Sequence, residues 1–208
     1  MAKQNINSKK GFTIIEVVLV LAIAGLIFLM VFVALPALQR SQRDTARRND
    51  MSRVDTSLVQ YQTNNQSAST QYPGAGVFNG KTDALTCTTS ACKFVREYMN
   101  SGSGNATENE FKDPAGTAYS VVITENYNKA PATGLSTTSL SQGSKSKLVQ
   151  ENGGYTITGD AGAFDEYVVY IVPGSECDGP VAKKALSENH FSVLYRLEGA
   201  GVYCIDDQ

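Results

Sequence analysis

A single carboxylate lies within the most apolar part of the chain. Residues 12–38 read FTIIEVVLVLAIAGLIFLMVFVALPAL, and Glu16 is the only ionisable side chain among them. A charged group is costly in hydrocarbon, so an ionisable residue in such a segment is by default a candidate functional residue. The chemistry open to Glu16 is pairing with a positive charge on its own chain or on another.

Four cysteines, all beyond the apolar stretch, could form cross-links: Cys87, Cys92, Cys177 and Cys204. An even number of cysteines in a domain outside a membrane is typical of disulfides. A zinc site is the alternative, but neither pair has the two-residue spacing of zinc knuckles and the only histidine is His190. We expect two disulfides and no metal site. Of the three pairings that four cysteines allow, we favour Cys87–Cys92 with Cys177–Cys204.

No group of residues in the sequence indicates catalysis. His190 has no cysteine or serine that the sequence nominates as its partner. The glycine-containing segments 74–76 and 102–104 lack the strand–loop–helix context of a phosphate site. We therefore expect neither an enzyme nor a cofactor.

Length and charge limit the classes of protein that the chain can represent. Its 208 residues suit one moderate globular domain with an appendage rather than two full domains. Acidic residues number 20 against 18 basic ones, and Lys3, Lys9 and Lys10 all precede Gly11. The remaining body lacks the basic footprint that general nucleic-acid binding usually needs.

The apolar stretch predicts a membrane-spanning helix. Residues 17–35 alone approach the ~20 apolar residues that cross a bilayer as a helix. An ordinary secretory signal is the alternative, with Lys9 and Lys10 as its basic region. The apolar run is longer than the ~7–15 residues of such a signal, and no small-residue cleavage site follows it.

The residues at the start of this stretch carry a family resemblance. The sequence KGFTIIE at residues 10–16 resembles the class III signal of type IV prepilins and pseudopilins. The resemblance is specific over the first quarter of the chain and extends to the remainder only in outline. It implies that a prepilin peptidase recognises Lys10, Gly11 and Glu16, cuts after Gly11 and methylates the new amino group of Phe12.

Cleavage at this position would give Glu16 a partner. The ammonium group created at Phe12 would lie beside hydrocarbon, where an unpaired charge is costly. The resemblance implies that Glu16 of a neighbouring subunit pairs with it and sets the stagger of the filament. Pairing within one chain is the alternative, because Phe12 and Glu16 are one helical turn apart.

Further positions of the helix resemble the family's assembly residues. Gly25 occupies the usual glycine position, whereas the segment ALPA, with Pro36, lies three residues later than the family's helix-kinking motif. Pro36 lacks a backbone donor and is expected to bend or loosen the helix. The resemblance therefore assigns filament assembly to Phe12, Glu16, Gly25 and Pro36.

The expected orientation places the N-terminus in the cytoplasm. The leader must meet its peptidase there, and the cysteine pairs need an oxidising space. The arginines at positions 40–53, diluted by three aspartates, oppose this orientation under the positive-inside tendency.

Residues 39–66 predict an amphipathic continuation of the helix. Met51, Val54, Leu58 and Tyr61 recur at three- and four-residue steps and form an apolar stripe. The arginines of this segment allow two interpretations. They either contact DNA or anionic headgroups or form a solvated, salt-bridged face, which the interleaved aspartates favour.

Residues 67–208 predict a head with a small antiparallel sheet. We expect a short helix at 91–100, with core contacts from Phe94, Val95 and Tyr98, and a loop at 126–152 that is either glycosylated, adhesive or simply flexible. An antiparallel meander is expected from strands at 118–124, 155–158, 167–172, 191–197 and 202–205. By the resemblance, Cys177–Cys204 closes an exposed C-terminal region that is a candidate for surface contacts.

The expected fold is α+β, a pilin-like lollipop in which a long N-terminal helix packs on a small antiparallel sheet. Four segments compose it: a cleaved leader (1–11), a transmembrane assembly helix (12–38), its amphipathic continuation (39–66) and an extracellular head (67–208). The expected function is a structural subunit of a type IV pilus. Its partners would be copies of itself, the prepilin peptidase, an inner-membrane assembly platform and, before assembly, the membrane.

Two other functions fit the same residues. One is a pseudopilin of a type II secretion or DNA-uptake machine. The other is a monomeric membrane-anchored binding module.

Overall fold

The computed structural model describes residues 11–66, 71–80, 89–99, 111–127, 147–151, 153–158, 167–199 and 201–207. It confirms the α+β class, with a long N-terminal apolar helix followed by sheets rich in antiparallel pairs. The chain divides into two compact units, residues 1–41 and residues 42–208.

The first unit contains the apolar part of helix α1 (Ile14–Asn64). From residue 14 to residue 41 the side chains are exposed, except for a half-buried Ala24. The helix continues through Pro36, which lies inside it without ending it. Its apolar side chains therefore have no covering layer among the described residues.

Helix α1 is also long and apolar enough to cross a membrane, judged by its length and composition. A signal sequence near the N-terminus, or the core helix of a soluble protein, meets the same criteria. A core helix would be buried, whereas the most apolar part of α1 is not buried at all.

The described residues of the second unit form two sheets and two short helical segments. Its helical segments are α2 (Ser90–Phe94) and the π-helical segment Val95–Met99. Its strands are β1 (Gly76–Phe78), β2 (Ser120–Ile123), β3 (Lys147–Glu151), β4 (Gly154–Thr158), β5 (Val168–Pro173), β6 (Ser175–Asp178), β7 (Val181–Lys184), β8 (Phe191–Leu197) and β9 (Gly201–Asp206). The five-stranded sheet has the order β1-β2-β5-β8-β9, and the four-stranded sheet has the order β3-β4-β7-β6.

The five-stranded sheet has a core on each of its faces. Alternate residues of one strand point to opposite faces, so Val169 and Tyr170 of β5 belong to different clusters. One cluster packs the sheet against α1 and α2, including the predicted stripe residues Met51, Val54 and Leu58, which are fully buried. The other cluster packs it against residues of the four-stranded sheet, including Ile157 and Ala182.

The expected antiparallel meander is wrong in its connectivity. Strand β2 pairs with β5 in parallel, with Ser120 opposite Val168 and Ile123 opposite Ile171. The chain between them leaves to form β3 and β4 of the second sheet. Both β2 and β5 are buried along their whole length, and continuous apolar runs of this kind are typical of strands covered on both faces.

Four strands were not expected from the sequence: β1, β3, β6 and β7. They are short or polar, so their apolar patterns are weak. Strand β3 falls within the segment predicted as a loop. The structure corrects that prediction at residues 147–151, which pair along their whole length with β4. The middle of that predicted loop, residues 128–146, lies outside the described residues.

The short helix expected at 91–100 consists of two different segments. Thr89 caps α2, accepting a hydrogen bond from Cys92 N at 3.2 Å. The π-helical segment follows directly. Of the predicted core contacts, Phe94 and Val95 are buried, and Tyr98 is partly buried against the core cluster that α1 shares with the sheet.

Candidate functional site

Glu16 and Thr13 form a capping box at the start of α1. Thr13 is the residue before the first helical position, and Glu16 is the third residue of the helix. Glu16 Oε2 accepts hydrogen bonds from Thr13 N at 2.9 Å and from Thr13 Oγ1 at 2.7 Å. Glu16 N in turn donates to Thr13 Oγ1 at 3.4 Å. This reciprocal arrangement satisfies backbone donors that the first turn of a helix leaves without partners.

The role of Thr13 was missed in the sequence analysis, although its signal is present. A Thr followed three residues later by Glu, just before an apolar run, is the sequence pattern of a capping box. In the chain with Gly11 still attached to Phe12, the carboxylate of Glu16 is thus bound to Thr13. Its partner is the polar residue that immediately precedes its own helix, and not a charged group.

The other residues assigned to processing and assembly have no internal packing task in the described part of the chain. The side chain of Phe12 is 90% exposed. A Cβ atom added at Gly11 or at Gly25 would meet no atom within 4 Å. The structure does not bring Phe12, Gly25 and Pro36 together, because they are spread along one extended segment. Lys10 lies outside the described residues.

A buried ionic cluster anchors the second part of α1 to the rest of the second unit. Only 2% of the Arg47 side chain is exposed, and its guanidinium contacts three carboxylates. Nε lies 2.5 Å from Asp113 Oδ2, and Nη1 lies 3.2 Å from Asp44 Oδ1 and 3.1 Å from Glu198 Oε2. Arg47 Cζ also lies 5.2 Å from the ring centroid of Tyr167, within reach of a cation–π interaction.

The same cluster fixes the turn between β8 and β9. Asp44 accepts hydrogen bonds from the backbone amides of Glu198 at 2.9 Å and Gly199 at 3.0 Å. Arg43 donates two hydrogen bonds of 2.9 Å to the Glu198 carboxylate, a bidentate geometry that is favourable for this pair. One stretch of α1 therefore binds a turn more than 150 residues away in sequence.

The charges of the cluster shift one another's pKa values. Burial opposes the charge on Arg47, but hydrogen bonds and attraction from Asp113 and Glu198 outweigh it and raise the Arg47 pKa. Hydrogen bonding from Arg43 lowers the pKa of Glu198. Beside the cluster, burial raises the pKa of Asp50 although Tyr119 Oη donates to its carboxylate at 2.9 Å. The cluster is therefore held together as charged groups.

These contacts correct the interpretation of the arginines as a solvated face at Arg47 alone, whereas Arg40, Arg48 and Arg53 are exposed, as that interpretation expects. Arg47 is buried and Arg43 is bound to Glu198. Arg48 lies over the ring of Tyr203, and Arg53 donates to the backbone carbonyl of Met99. The salt-bridged part of the prediction describes Arg43 and Arg47, but Arg47 is buried and its partners include Asp113 and Glu198, which are distant from it in sequence.

A disulfide between Cys177 and Cys204 joins the edges of the two sheets. Cys177 lies in β6, at the edge of the four-stranded sheet, and Cys204 lies in β9, at the edge of the five-stranded sheet. Their Cα atoms are 5.8 Å apart. Cys92 is also disulfide-bonded, whereas Cys87 lies outside the described residues, so the expected Cys87–Cys92 pairing stays a prediction.

His190 pairs with an acidic side chain rather than with a nucleophile. Its Nδ1 lies 3.1 Å from Asp207 Oδ1, and both side chains are at least partly buried. Among the described residues no three histidine, cysteine or acidic side chains are grouped as metal ligands would be.

The comparisons with known proteins concern the start of the chain. The family model of the prokaryotic N-terminal methylation motif matches residues 6–32. No curated protein and no solved structure matches the chain. The matched segment contains the predicted cleavage point after Gly11, the capping pair and Gly25. Residues 6–32 therefore carry the prokaryotic N-terminal methylation motif, the motif of the class III signal peptide of type IV pilins, which supports a pilin-like or pseudopilin-like precursor.

Proposed function

We propose that the chain is a structural subunit of a type IV pilus. It would be made as a single-pass membrane precursor with a cytoplasmic N-terminus and would then be assembled into an extracellular filament. Copies of the chain, the prepilin peptidase, an inner-membrane assembly platform and the membrane itself are the proposed partners.

The observation that carries this proposal is the position of the methylation motif. It covers the start of a helix whose apolar side chains are exposed throughout residues 14–41, apart from Ala24. Exposure of so much apolar surface requires a partner, which is lipid before assembly and neighbouring helices afterwards. A filament packed through its helices would supply the second partner.

Each proposed role belongs to a particular residue. Lys10, Gly11 and Glu16 would be recognised by the peptidase, which would cut after Gly11 and methylate Phe12. Phe12, Glu16, Gly25 and Pro36 would contact neighbouring subunits. Gly25 suits this role because small residues allow helices to approach closely. Apart from the adjacent helix backbone, no described residue has an atom within 4 Å of the position that a Cβ atom would take there.

Each of the four predicted segments would have its own part in the subunit. Residues 1–11 would be removed, residues 12–38 would form the transmembrane and assembly helix, and residues 39–66 would continue that helix. Residues 67–208 would supply the rest of the extracellular head. The region closed by Cys177–Cys204 would be its surface for further contacts.

A pseudopilin of a type II secretion or DNA-uptake machine is the second candidate, because the same motif serves both kinds of precursor. Surface fibres that contain the chain would favour a pilin, and short fibres confined within the envelope would favour a pseudopilin.

The first test is the intact mass and N-terminal sequence of the protein from its native cells. The proposal predicts a chain that begins at N-methylated Phe12 and carries two disulfides. Peptide mapping without reduction would assign their pairing. A mature chain that still begins near Met1 would contradict the proposal and leave a membrane-anchored binding module.

A further inference from the structure

Asp55 is a half-buried acid on α1 with one oxygen that lacks a partner. Its Oδ1 atom is buried, and no hydrogen-bond donor among the described residues reaches it. Unpaired buried acceptors are rare, because the lost hydration is not replaced. This atom is the one such side-chain atom found in the described part of the chain, so it calls for a physical explanation.

The charged groups near Asp55 make its ionised form less favourable still. Tyr203 and Ile205 of β9 pack against the core cluster that contains Val54 and Leu58 of α1, on either side of Asp55 in sequence. Asp206, the last residue of β9, and Asp207, which follows it, act on Asp55 as like charges. The arginines of the neighbouring turns of α1 are committed elsewhere. Arg48 lies over the Tyr203 ring and Arg53 donates to the carbonyl of Met99. Ionised Asp55 is therefore repelled by the end of β9 without compensation from these cations.

The end of β9 is held by contacts that meet at the same two aspartates. Asp206 Oδ2 accepts a hydrogen bond from Cys177 N at 2.6 Å, next to the Cys177–Cys204 disulfide. Asp207 Oδ1 accepts from Phe191 N at 3.3 Å and lies 3.1 Å from His190 Nδ1. Both aspartates already accept backbone hydrogen bonds here, whereas Asp55 Oδ1 accepts none, so a proton on that oxygen of Asp55 displaces no existing bond.

We propose that Asp55 makes the attachment of the β9 end to α1 dependent on pH, with the segment held more tightly when Asp55 is protonated. Protonation removes the repulsion from Asp206 and Asp207. It also gives the Asp55 carboxyl group a hydrogen to donate.

The direction of the effect follows from the pKa of Asp55. Burial first, and the charges of Asp207 and Asp206 second, raise it to about 6 from an ordinary value of 3.8. A raised pKa means that the attached state binds the proton more tightly than the detached state does. Attachment is therefore weakest above pH 6 and strengthens as the pH falls from 6 towards 4. This device does not depend on whether the chain is a pilin, a pseudopilin or an anchored module.

The test is hydrogen exchange of residues 202–206, measured by mass spectrometry on the full chain in detergent micelles. Exchange is corrected for the intrinsic effect of pH on the chemical rate. We expect protection of this segment to rise about tenfold between pH 7.5 and pH 5, since each unit between the two pKa values contributes up to a factor of ten. In Asp55→Asn, protection should be high at pH 7.5 and should change little with pH.

Two further variants make the result decisive. Glu125→Gln removes an exposed carboxylate after β2 and should behave as the wild type. Asp55→Ala removes the charge without leaving an amide in its place. If Asp55→Asn does not fold, Asp55→Ala tests whether the charge of Asp55 causes the pH dependence. The same pH dependence in the wild type and in the folded Asp55 variant would overturn the proposal, and so would lower protection of that variant at pH 7.5.

Discussion

Arg47 carries its charge in a part of the head from which water is almost excluded. Removing such a charge from water costs several kcal/mol, and only close partners recover this cost. Asp44, Asp113 and Glu198 are those partners, and each lies within 3.2 Å of the guanidinium. Because they come from α1, from the segment before β2 and from the β8–β9 turn, Arg47 ties together three parts of the head.

Replacing Arg47 should therefore destabilise the head strongly. We expect Arg47→Ala to lower the free energy of unfolding by about 3–5 kcal/mol, because it leaves buried carboxylates without a counter-charge. Arg43→Ala is the matched control, and its loss should be much smaller because the Arg43 side chain is 34% exposed. Urea unfolding followed by the near-ultraviolet circular dichroism of the tyrosines measures both. Equal losses in the two variants would contradict the special role of Arg47.

The sequence reveals only part of this cluster. Asp44 and Arg47 stand three residues apart on a predicted helix, a spacing at which side chains meet. Asp113 and Glu198 lie 66 and 151 residues away from Arg47, and no local pattern indicates that they approach it. Hydrophobic periodicity locates Met51, Val54 and Leu58 in the core, but it treats every arginine as exposed. Burial of Arg47 is therefore a property of the tertiary fold.

At the scale of elements, β9 depends on links to both sheets. It pairs with β8 from Gly201 opposite Leu197 to Asp206 opposite Ser192. Its residues are only partly buried or exposed, as expected for an edge strand. The disulfide from Cys204 then ties this edge to β6 of the other sheet, so the bond closes the open side of the two-sheet arrangement.

Loss of this disulfide should weaken the head. The double variant Cys177→Ser with Cys204→Ser is expected to lose about 3 kcal/mol of unfolding free energy, because the unfolded chain regains the freedom of a loop that the bond had closed. Thermal unfolding of the oxidised proteins measures the loss. Reduction should then destabilise the wild type more than the variant, which has lost this bond already. An unchanged unfolding midpoint in the variant would contradict the role given to this bond.

The strands show why composition predicts elements better than their arrangement. The runs at β5 and β8 are apolar enough to be located from sequence within a residue or two. The order of the strands in the sheet depends on the path of the connection between β2 and β5. That connection includes β3, whose apolar pattern is weak. The parallel pairing of β2 with β5 follows from this excursion and has no signature in either strand alone.

At the scale of the whole molecule, Glu16 would perform two tasks that use different properties of one side chain. Capping its own helix requires an acceptor oxygen for Thr13, which a neutral amide also supplies. Pairing with the amine of a neighbouring Phe12 requires a negative charge. The precursor uses the first property, and the proposed filament would use the second after cleavage, so the two tasks can be separated by substitution.

Three variants distinguish a filament subunit from a monomeric anchor. Glu16→Gln keeps the acceptor and removes the charge, Glu16→Ala removes both, and Thr13→Val keeps the charge and removes the hydroxyl of the cap. If subunits pair through charge, we expect both Glu16 variants to lose filaments at least tenfold and Thr13→Val to retain most of them. Filament yield after shearing is compared with the total mature chain, and unfolding of the head serves as the folding control. Normal filaments from Glu16→Gln would show that capping, not charge, is what assembly requires, whereas a protein for which none of the three changes matters would behave as an anchor that does not assemble.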